Sequence, residues 1–185
     1  MEGVRPTGLP ALPWLSSFLE LNVRTYVRDA AGRPGVWFYS LDCNRWPAVE
    51  FARRGFHLAY QHATMSASKA LDGNISYQCQ RRPVAGHLEA DYRYRGRGAT
   101  FPAAPGSLEF FLTERYRLFS WNPRRRRLYS GEVWHDPYPL QEAEVAQWSA
   151  VPAYWDRQFS LHGPPVTQHF SPGVEVGIFP LRPLA

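Results

Sequence analysis

Alternation of apolar and polar residues marks the first clearly patterned segment, residues 20–27 (ELNVRTYV). One side of the extended chain carries Leu21, Val23, Thr25 and Val27, and the other carries Glu20, Asn22, Arg24 and Tyr26. A period of two predicts a β-strand with one apolar face and one charged face. The pattern leaves open whether the charged face meets water or lines the interior of a closed sheet.

Similar short segments, separated by glycine- and proline-rich turns, predict many strands and few helices in the rest of the chain. Further strands are predicted within residues 36–42, 56–67, 75–82, 87–96, 114–121 and 128–135, with one or two closing strands within 164–181. The sequence LDGN, residues 71–74, predicts a tight turn between two of these strands.

Three segments carry helix signals. Asn44 is a potential N-cap for a helix that ends at Gly55, and Ser107 can cap a short helix through Leu112. Residues 139–150 (PLQEAEVAQWSA) predict a further helix. Two or three short helices and about eight strands predict a mainly β (α+β) fold, a closed or nearly closed antiparallel β-barrel or strongly curved sheet with helical covers.

Composition adds few constraints. The 185 residues, 44% of them hydrophobic, suit one folded domain, and the net charge of +5 is only a mild bias toward anionic partners. Lys69 is the sole lysine, so a Schiff-base mechanism must use it. Cys43 and Cys79 fit neither a metal spacing nor a disulfide framework, and no segment resembles a signal peptide or reaches transmembrane length. We therefore expect a cytoplasmic protein that does not associate with membranes.

Several segments together resemble the YqjF-like group, a functionally uncharacterised bacterial family within the acetoacetate-decarboxylase-like fold. The matching segments are ELNVRTYV (20–27), RPGVWFYSLD (33–42), AVEFARRGFHLAY (48–60), GSLEFFLTERYRLF (106–119), GEVWH (131–135) and YPLQEAE (138–144). The resemblance implies one domain over residues 1–185, built as a mainly antiparallel barrel with a central cavity. It implies no particular reaction, because a fold does not determine chemistry.

The sequence departs from that resemblance in two places. Decarboxylases of this fold carry a nucleophilic lysine in a Gly-Phe-Pro-Lys-Lys-like passage, whereas residues 55–63 read GFHLAYQHA. We therefore expect neither imine chemistry nor a cofactor. The YqjF-like group also has opening strands before the segment that begins here at Met1. We expect these to be encoded upstream, or the exposed sheet edge to be covered by another subunit, as in a homo-oligomer.

Polar residues on predicted cavity strands are the candidate site. Glu20 and Arg24 could hold each other ionised or grip a carbonyl or carboxylate. Tyr60 and His62 are ordinary acid–base groups, although a single histidine on a strand is often structural. The predicted catalytic candidates are Glu20, Tyr60 and His62. The predicted ligand-binding set is Glu20, Asn22, Arg24, Tyr60, His62, Arg81, Glu114 and Tyr116, with Tyr77 and His135 as weaker candidates.

The remaining motifs are less specific. His57, His62, His87, His135, His162 and His169 show no metal-ligand spacing, so no metal site is predicted. Four arginines at 124–127 could contact phosphates, but their place between two strands favours a solvated turn without specific nucleic-acid binding. We predict that a small organic ligand with a carbonyl or carboxylate binds in the barrel. The alternative is a non-catalytic interaction protein that uses the sheet edge or the 124–127 turn.

Overall fold

The computed structural model describes residues 1, 17–82, 88–156, 161 and 163–184, and within them three helices accompany one eleven-stranded sheet. The first strands are β1 (Glu20–Arg28), β2 (Pro34–Cys43), β3 (Tyr60–Lys69), β4 (Ile75–Arg81), β5 (Ala90–Phe101) and β6 (Arg117–Asn122). The later strands are β7 (Arg127–His135), β8 (Leu140–Gln147), β9 (His169–Phe170), β10 (Val176–Ile178) and β11 (Arg182–Pro183). The helices are α1 (Trp46–Gly55), α2 (Leu108–Thr113) and α3 (Val151–Trp155).

The sheet is mixed rather than wholly antiparallel. Its main path runs β10-β7-β6-β2-β3-β4-β5-β8-β9, with β1 paired to β2 and β11 paired to β7. Most pairs are antiparallel, as predicted, but β2 runs parallel to both β3 and β6. Within the described residues the path ends at β10 and β9, and no pairing between those two strands closes the sheet.

The pleat of β1 places neighbouring residues in different environments, as the alternating sequence predicts. Leu21 packs against a cluster formed by Ala63, Cys79 and Ala90, which α3 covers with Trp155. The preceding residue, Glu20, instead reaches the hydroxyl of a tyrosine in the other cluster. That other cluster packs the sheet against α1 and contains Phe18, Leu41, Cys43, Val49, Ala52 and Tyr60.

Several local predictions are confirmed. Ser107 caps α2, because its Oγ accepts a hydrogen bond from the Phe110 amide at 3.1 Å. The predicted 71–74 turn joins β3 to β4, and Gly73 adopts a positive φ of 83° that suits glycine. Within the described residues, no helix is long and apolar enough to cross a membrane.

Two helix predictions need correction. The N-cap of α1 is Arg45 rather than Asn44, because the Asn44 Oδ1 accepts a hydrogen bond from the Leu19 amide instead. The segment predicted as a helix over 139–150 forms β8. Its residues alternate between half-buried and exposed, and Glu144 pairs across the sheet with Arg95. Cross-strand pairing thus overrides the high helix propensity of this sequence.

Candidate functional site

A carboxylate–phenol pair forms where two strands begin. Glu20 opens β1 and Tyr60 opens β3, and the Tyr60 hydroxyl donates a hydrogen bond of 2.6 Å to Glu20 Oε2. The Tyr77 hydroxyl on β4 donates to the Glu20 backbone carbonyl at 2.8 Å. Tyr60 is only 8% exposed, so the pair lies against the core rather than in bulk water. The structure therefore brings together two of the three predicted catalytic candidates.

Burial controls the protonation of this pair. Burial raises the pKa of the Glu20 carboxyl above its usual range, and the hydrogen bond from Tyr60 opposes that shift only partly. Burial also raises the pKa of Tyr60, and the neighbouring Glu20 charge raises it further, so the phenol stays protonated. A buried carboxyl of this kind can donate a proton when neutral and accept one when ionised.

The polar face of β1 opens toward solvent beyond Glu20. Asn22 and Arg24 are both exposed. The expectation that Arg24 is enclosed together with Glu20 is therefore wrong. The Asn22 amide lies 3.5 Å from Glu20 Oε1, and the Arg24 guanidinium donates to the Leu112 carbonyl at 3.2 Å. Burial raises the pKa of Glu20, and the Arg24 charge is the smallest of the effects that oppose this rise. The row thus runs from a half-buried acid to an exposed cation.

A second glutamate–tyrosine pair lies near the far end of that row. Glu114 follows α2, is only 5% exposed, and accepts hydrogen bonds from the Tyr116 hydroxyl and, at 3.2 Å, from the Tyr138 amide. The hydrogen bond to Glu114 raises the pKa of Tyr116 to about 12. The His135 ring stacks on Tyr116 at 4.6 Å between centroids. The Tyr26 hydroxyl donates to Leu112 at 2.8 Å, so β1 contacts the end of α2 beside this pair.

Arg81 belongs to a closed ion cluster and not to this row. Its Nε and Nη2 contact both oxygens of Asp42 at 2.6 and 2.9 Å, and its Nη1 contacts Asp156 at 2.7 Å. Ser40 donates to the other Asp156 oxygen at 2.6 Å, and the Trp155 ring lies 5.0 Å from the guanidinium. Every nitrogen of the guanidinium thus faces a carboxylate of the protein. Sequence reasoning missed both aspartates; the available signal was an acidic residue, Asp42, within an otherwise buried strand.

Arg124, Arg125 and Arg126 lie in the turn between β6 and β7, as predicted, and Arg127 begins β7. Asn122 Oδ1 accepts hydrogen bonds from the amides of Arg124 and Arg125 at 3.0 and 3.1 Å, which fixes the turn. Arg127 reaches the Leu184 carbonyl at 3.2 Å, and the four side chains are exposed. Among the described residues, no three His, Cys, Asp or Glu side chains converge to hold a metal ion. His87 and His162 lie outside the described residues.

Comparison with known sequences places this chain. The profile of DUF2071, described as an uncharacterized conserved protein, matches residues 1–175. The chain belongs to this family. It is 40% identical over 147 residues to "Uncharacterized protein YqjF" of Bacillus subtilis (strain 168), a match that covers 78% of this chain. The same match covers 58% of the Bacillus protein, so the chain spans less than two thirds of that relative's length.

A solved structure gives the fold of this DUF2071 chain. Acetoacetate decarboxylase from Legionella pneumophila superposes with a TM-score of 0.58 over 92% of this chain and 68% of the decarboxylase. The sequences are 12% identical, so the likeness shows the acetoacetate-decarboxylase-like fold alone. The resemblance noted from the sequence is confirmed at the level of family and fold.

Two remaining candidates lie apart from the polar row. His62 is half-buried beside Cys43 in the register of β2 and β3, and its ring makes no hydrogen bond to any described residue. Lys69 is exposed at the end of β3, next to the turn that leads into β4. A lysine in that position is in water rather than in the desolvated pocket that activates a Schiff-base lysine.

Proposed function

We propose that this protein binds a small organic molecule carrying a carbonyl or carboxylate along the polar face of β1. The observation that carries the proposal is the 2.6 Å hydrogen bond between the buried Tyr60 and the half-buried Glu20 carboxyl. Among the described residues this acid forms no salt bridge, and it lies on the same strand face as the exposed Arg24. The acetoacetate-decarboxylase-like fold supports a curved, barrel-like sheet around such a ligand.

The row assigns a role to each end of the ligand. Arg24 offers a guanidinium that pairs with carboxylates through two parallel hydrogen bonds. Glu20, when protonated, can donate to a carbonyl oxygen, and when ionised it can accept a proton from the adjacent carbon. Four residues of strand separate their backbones by about 13 Å. A chain of several carbons with a polar group at each end therefore fits better than a single small anion.

Binding is tested with a panel of keto acids and dicarboxylates, using thermal shift followed by calorimetry. A ligand at 100 times its Kd stabilises the folded state by about 2.7 kcal/mol, which is readily detected. Arg24→Met should abolish carboxylate binding. Arg28→Met is the matched control, because Arg28 lies on the same strand and contacts only the Gly32 carbonyl among the described residues. Equal loss in both variants, or no binding by any compound in the panel, contradicts the proposal.

Any reaction at this site proceeds without an imine. Lys69 is exposed and lies at the opposite end of β3 from Tyr60, so no lysine reaches the polar row. Borohydride reduction in the presence of β-keto acids should therefore leave the mass of the protein unchanged. A stoichiometric adduct on Lys69 that disappears in Lys69→Arg is the contrary result.

A second candidate function rests on the outer edge of β1. Among the described residues β1 pairs only with β2, which leaves the other edge of a nine-residue strand available for strand addition. Sedimentation equilibrium across a concentration series should then show self-association.

The 124–127 turn would contribute only weak, salt-sensitive binding to nucleic acid, without sequence preference. Sequence-dependent binding at physiological salt would favour nucleic-acid recognition instead.

A further inference from the structure

A groove opens in the sheet where β2 lies between two parallel partners. One edge of β2 is paired with β1 along its whole length, so β6 and β3 must both pair with the other edge. The β6 pairing covers Val36 and Trp37, and the β3 pairing covers Leu41 to Cys43. Residues 38–40 therefore lie between the two partners. A groove of about 460 Å³ occupies this gap.

Aromatic side chains form most of the walls. They come from β2 and β6 and are Trp37, Phe38, Tyr39, Phe119 and Trp121. Leu58, between α1 and β3, adds an aliphatic surface. The volume lies within the range of small-molecule sites, and stacked or edge-on aromatic contacts favour a planar ring over an aliphatic one.

Ser120 provides a polar group inside these walls. It is only 3% exposed and lines the groove, and its Oγ has no hydrogen-bond partner among the described residues. Buried hydroxyls are ordinarily hydrogen-bonded, so an unsatisfied one in a residue that lines a groove calls for an explanation. A ligand atom that accepts or donates a hydrogen bond at this point satisfies Ser120.

Two backbone irregularities border the same groove. His57 has a φ of 52°, which is uncommon for a residue other than glycine, and Asn122 holds its ring through an Nδ2–Nε2 contact of 3.0 Å. On the opposite wall, Val23 pairs with Ser40 and Arg24 with Phe38, which places a β-bulge at Tyr39. Such irregularities cluster beside functional sites. Here both irregular residues line the same groove as Ser120.

Arg53 gives the mouth of the groove a positive charge. Its Nε donates to the Tyr60 carbonyl at 2.6 Å and its Nη2 to Gln61 Oε1 at 3.1 Å, which fixes the guanidinium. Its Nη1 has only a loose contact of 3.6 Å with Glu50, and 43% of the side chain is exposed. The remaining Nη1 donors can therefore meet an anionic substituent of a bound ring.

We propose that this groove is a binding site for a planar aromatic carboxylate. The ring packs between the β2 and β6 aromatics, a polar ring atom bonds to Ser120 Oγ, and the carboxylate faces Arg53. Phe38 in the groove wall is the register partner of Arg24, so the groove adjoins the polar face of β1. The two proposals rest on different polar side chains, however, because the groove uses Arg53 and Ser120 whereas the polar face uses Glu20 and Arg24. The two sites can therefore be tested independently.

The first test measures affinity for 4-hydroxybenzoate and indole-3-acetate by calorimetry and saturation-transfer NMR. Trp121→Ala removes one wall and should weaken binding at least tenfold. Trp134→Ala is the control, because Trp134 is a comparably exposed tryptophan on β7 that does not line the groove. Cyclohexanecarboxylate has the same charge but no aromatic ring and should bind several-fold more weakly. Equal affinity for it, or unchanged affinity in Trp121→Ala, overturns the proposal.

The second test uses Ser120→Ala and compares two quantities, the affinity for ligand and the midpoint of thermal unfolding. Affinity for 4-hydroxybenzoate should fall about fivefold, while the midpoint of thermal unfolding should hold or rise because an unsatisfied hydroxyl is removed. Ser130→Ala is the control; this buried serine on β7 contacts Arg117 and should leave affinity unchanged. A lower midpoint with unchanged affinity would mean that Ser120 is structural and overturns the assignment. Arg24→Met should retain aromatic binding, which separates failure here from failure at β1.

Discussion

Two carboxyls on neighbouring strands, the buried Asp42 and the half-buried Glu20, have different kinds of partner. Burial raises the pKa of each above its usual range. Asp42 uses both oxygens on the guanidinium of Arg81, whereas Glu20 has one phenol at 2.6 Å and an amide at 3.5 Å. Asp42 is fully buried and Glu20 is half-buried, and the two also differ in how completely the protein satisfies the acid. An acid that the fold satisfies is structural, and one that it leaves partly open is available to a ligand.

The ion cluster around Asp42 is also unbalanced in charge. Asp42 and Asp156 together share the single guanidinium of Arg81, and the charge of Asp156 contributes to the raised pKa of Asp42. Ser40 offsets part of this excess through its hydrogen bond to Asp156. Such a cluster depends on its cation far more than a surface ion pair does, because water cannot replace it.

Replacing that cation should therefore give the largest effect. Arg81→Met leaves two buried carboxyls without a cation and should lower the free energy of unfolding by about 3–5 kcal/mol. Urea denaturation at neutral pH measures the loss. Arg95→Met is the matched control, because Arg95 also donates hydrogen bonds to both oxygens of one carboxylate, that of the half-exposed Glu144. Removing the Arg95 guanidinium should lower the free energy of unfolding by at most about 1 kcal/mol. Similar losses in both variants would refute the contrast between a closed cluster and a surface pair.

The phenol of Tyr60 should give the next effect. Tyr60→Phe removes the hydrogen bond that favours ionised Glu20. The substitution should lower the free energy of unfolding by about 1–3 kcal/mol at neutral pH. The cost should shrink as pH falls and Glu20 becomes protonated, because the lost bond supports the charged form. Tyr77→Phe is the control, since its hydroxyl bonds to the Glu20 backbone carbonyl and should lose a constant amount across the same pH range. A constant cost for Tyr60→Phe would mean that Glu20 does not titrate there.

The sequence predicts strands better than contacts across the sheet. Local signals suffice for β1, where the alternation is regular, and for α2, where Ser107 supplies its own cap. They fail for β8, whose helix-forming residues are held extended by pairing with β5. They also fail for the pair between Arg81 and Asp42, which are far apart in sequence and meet only because β2 runs parallel to β3. The link between Glu20 and Tyr60 is of the same kind and was predicted only in part, as two candidates on separate strands.

Glu20→Gln should change the free energy of unfolding least, and it is the only one of these substitutions expected to raise it. Because burial raises the pKa of Glu20, the folded protein binds its proton more tightly than the unfolded chain does. Stability therefore falls as pH rises from the ordinary glutamate range through the raised pKa. Glutamine keeps an acceptor for Tyr60 but cannot ionise. The variant should be more stable by about 1 kcal/mol at neutral pH, with the gain vanishing in acid.

Denaturation of wild type and variant across pH measures this, with Glu89→Gln at an exposed position as the control. A loss of stability at neutral pH would instead make the ionised Glu20 structural, like Asp42. A gain means that this glutamate costs the fold stability, as expected of a carboxyl whose role is toward a ligand.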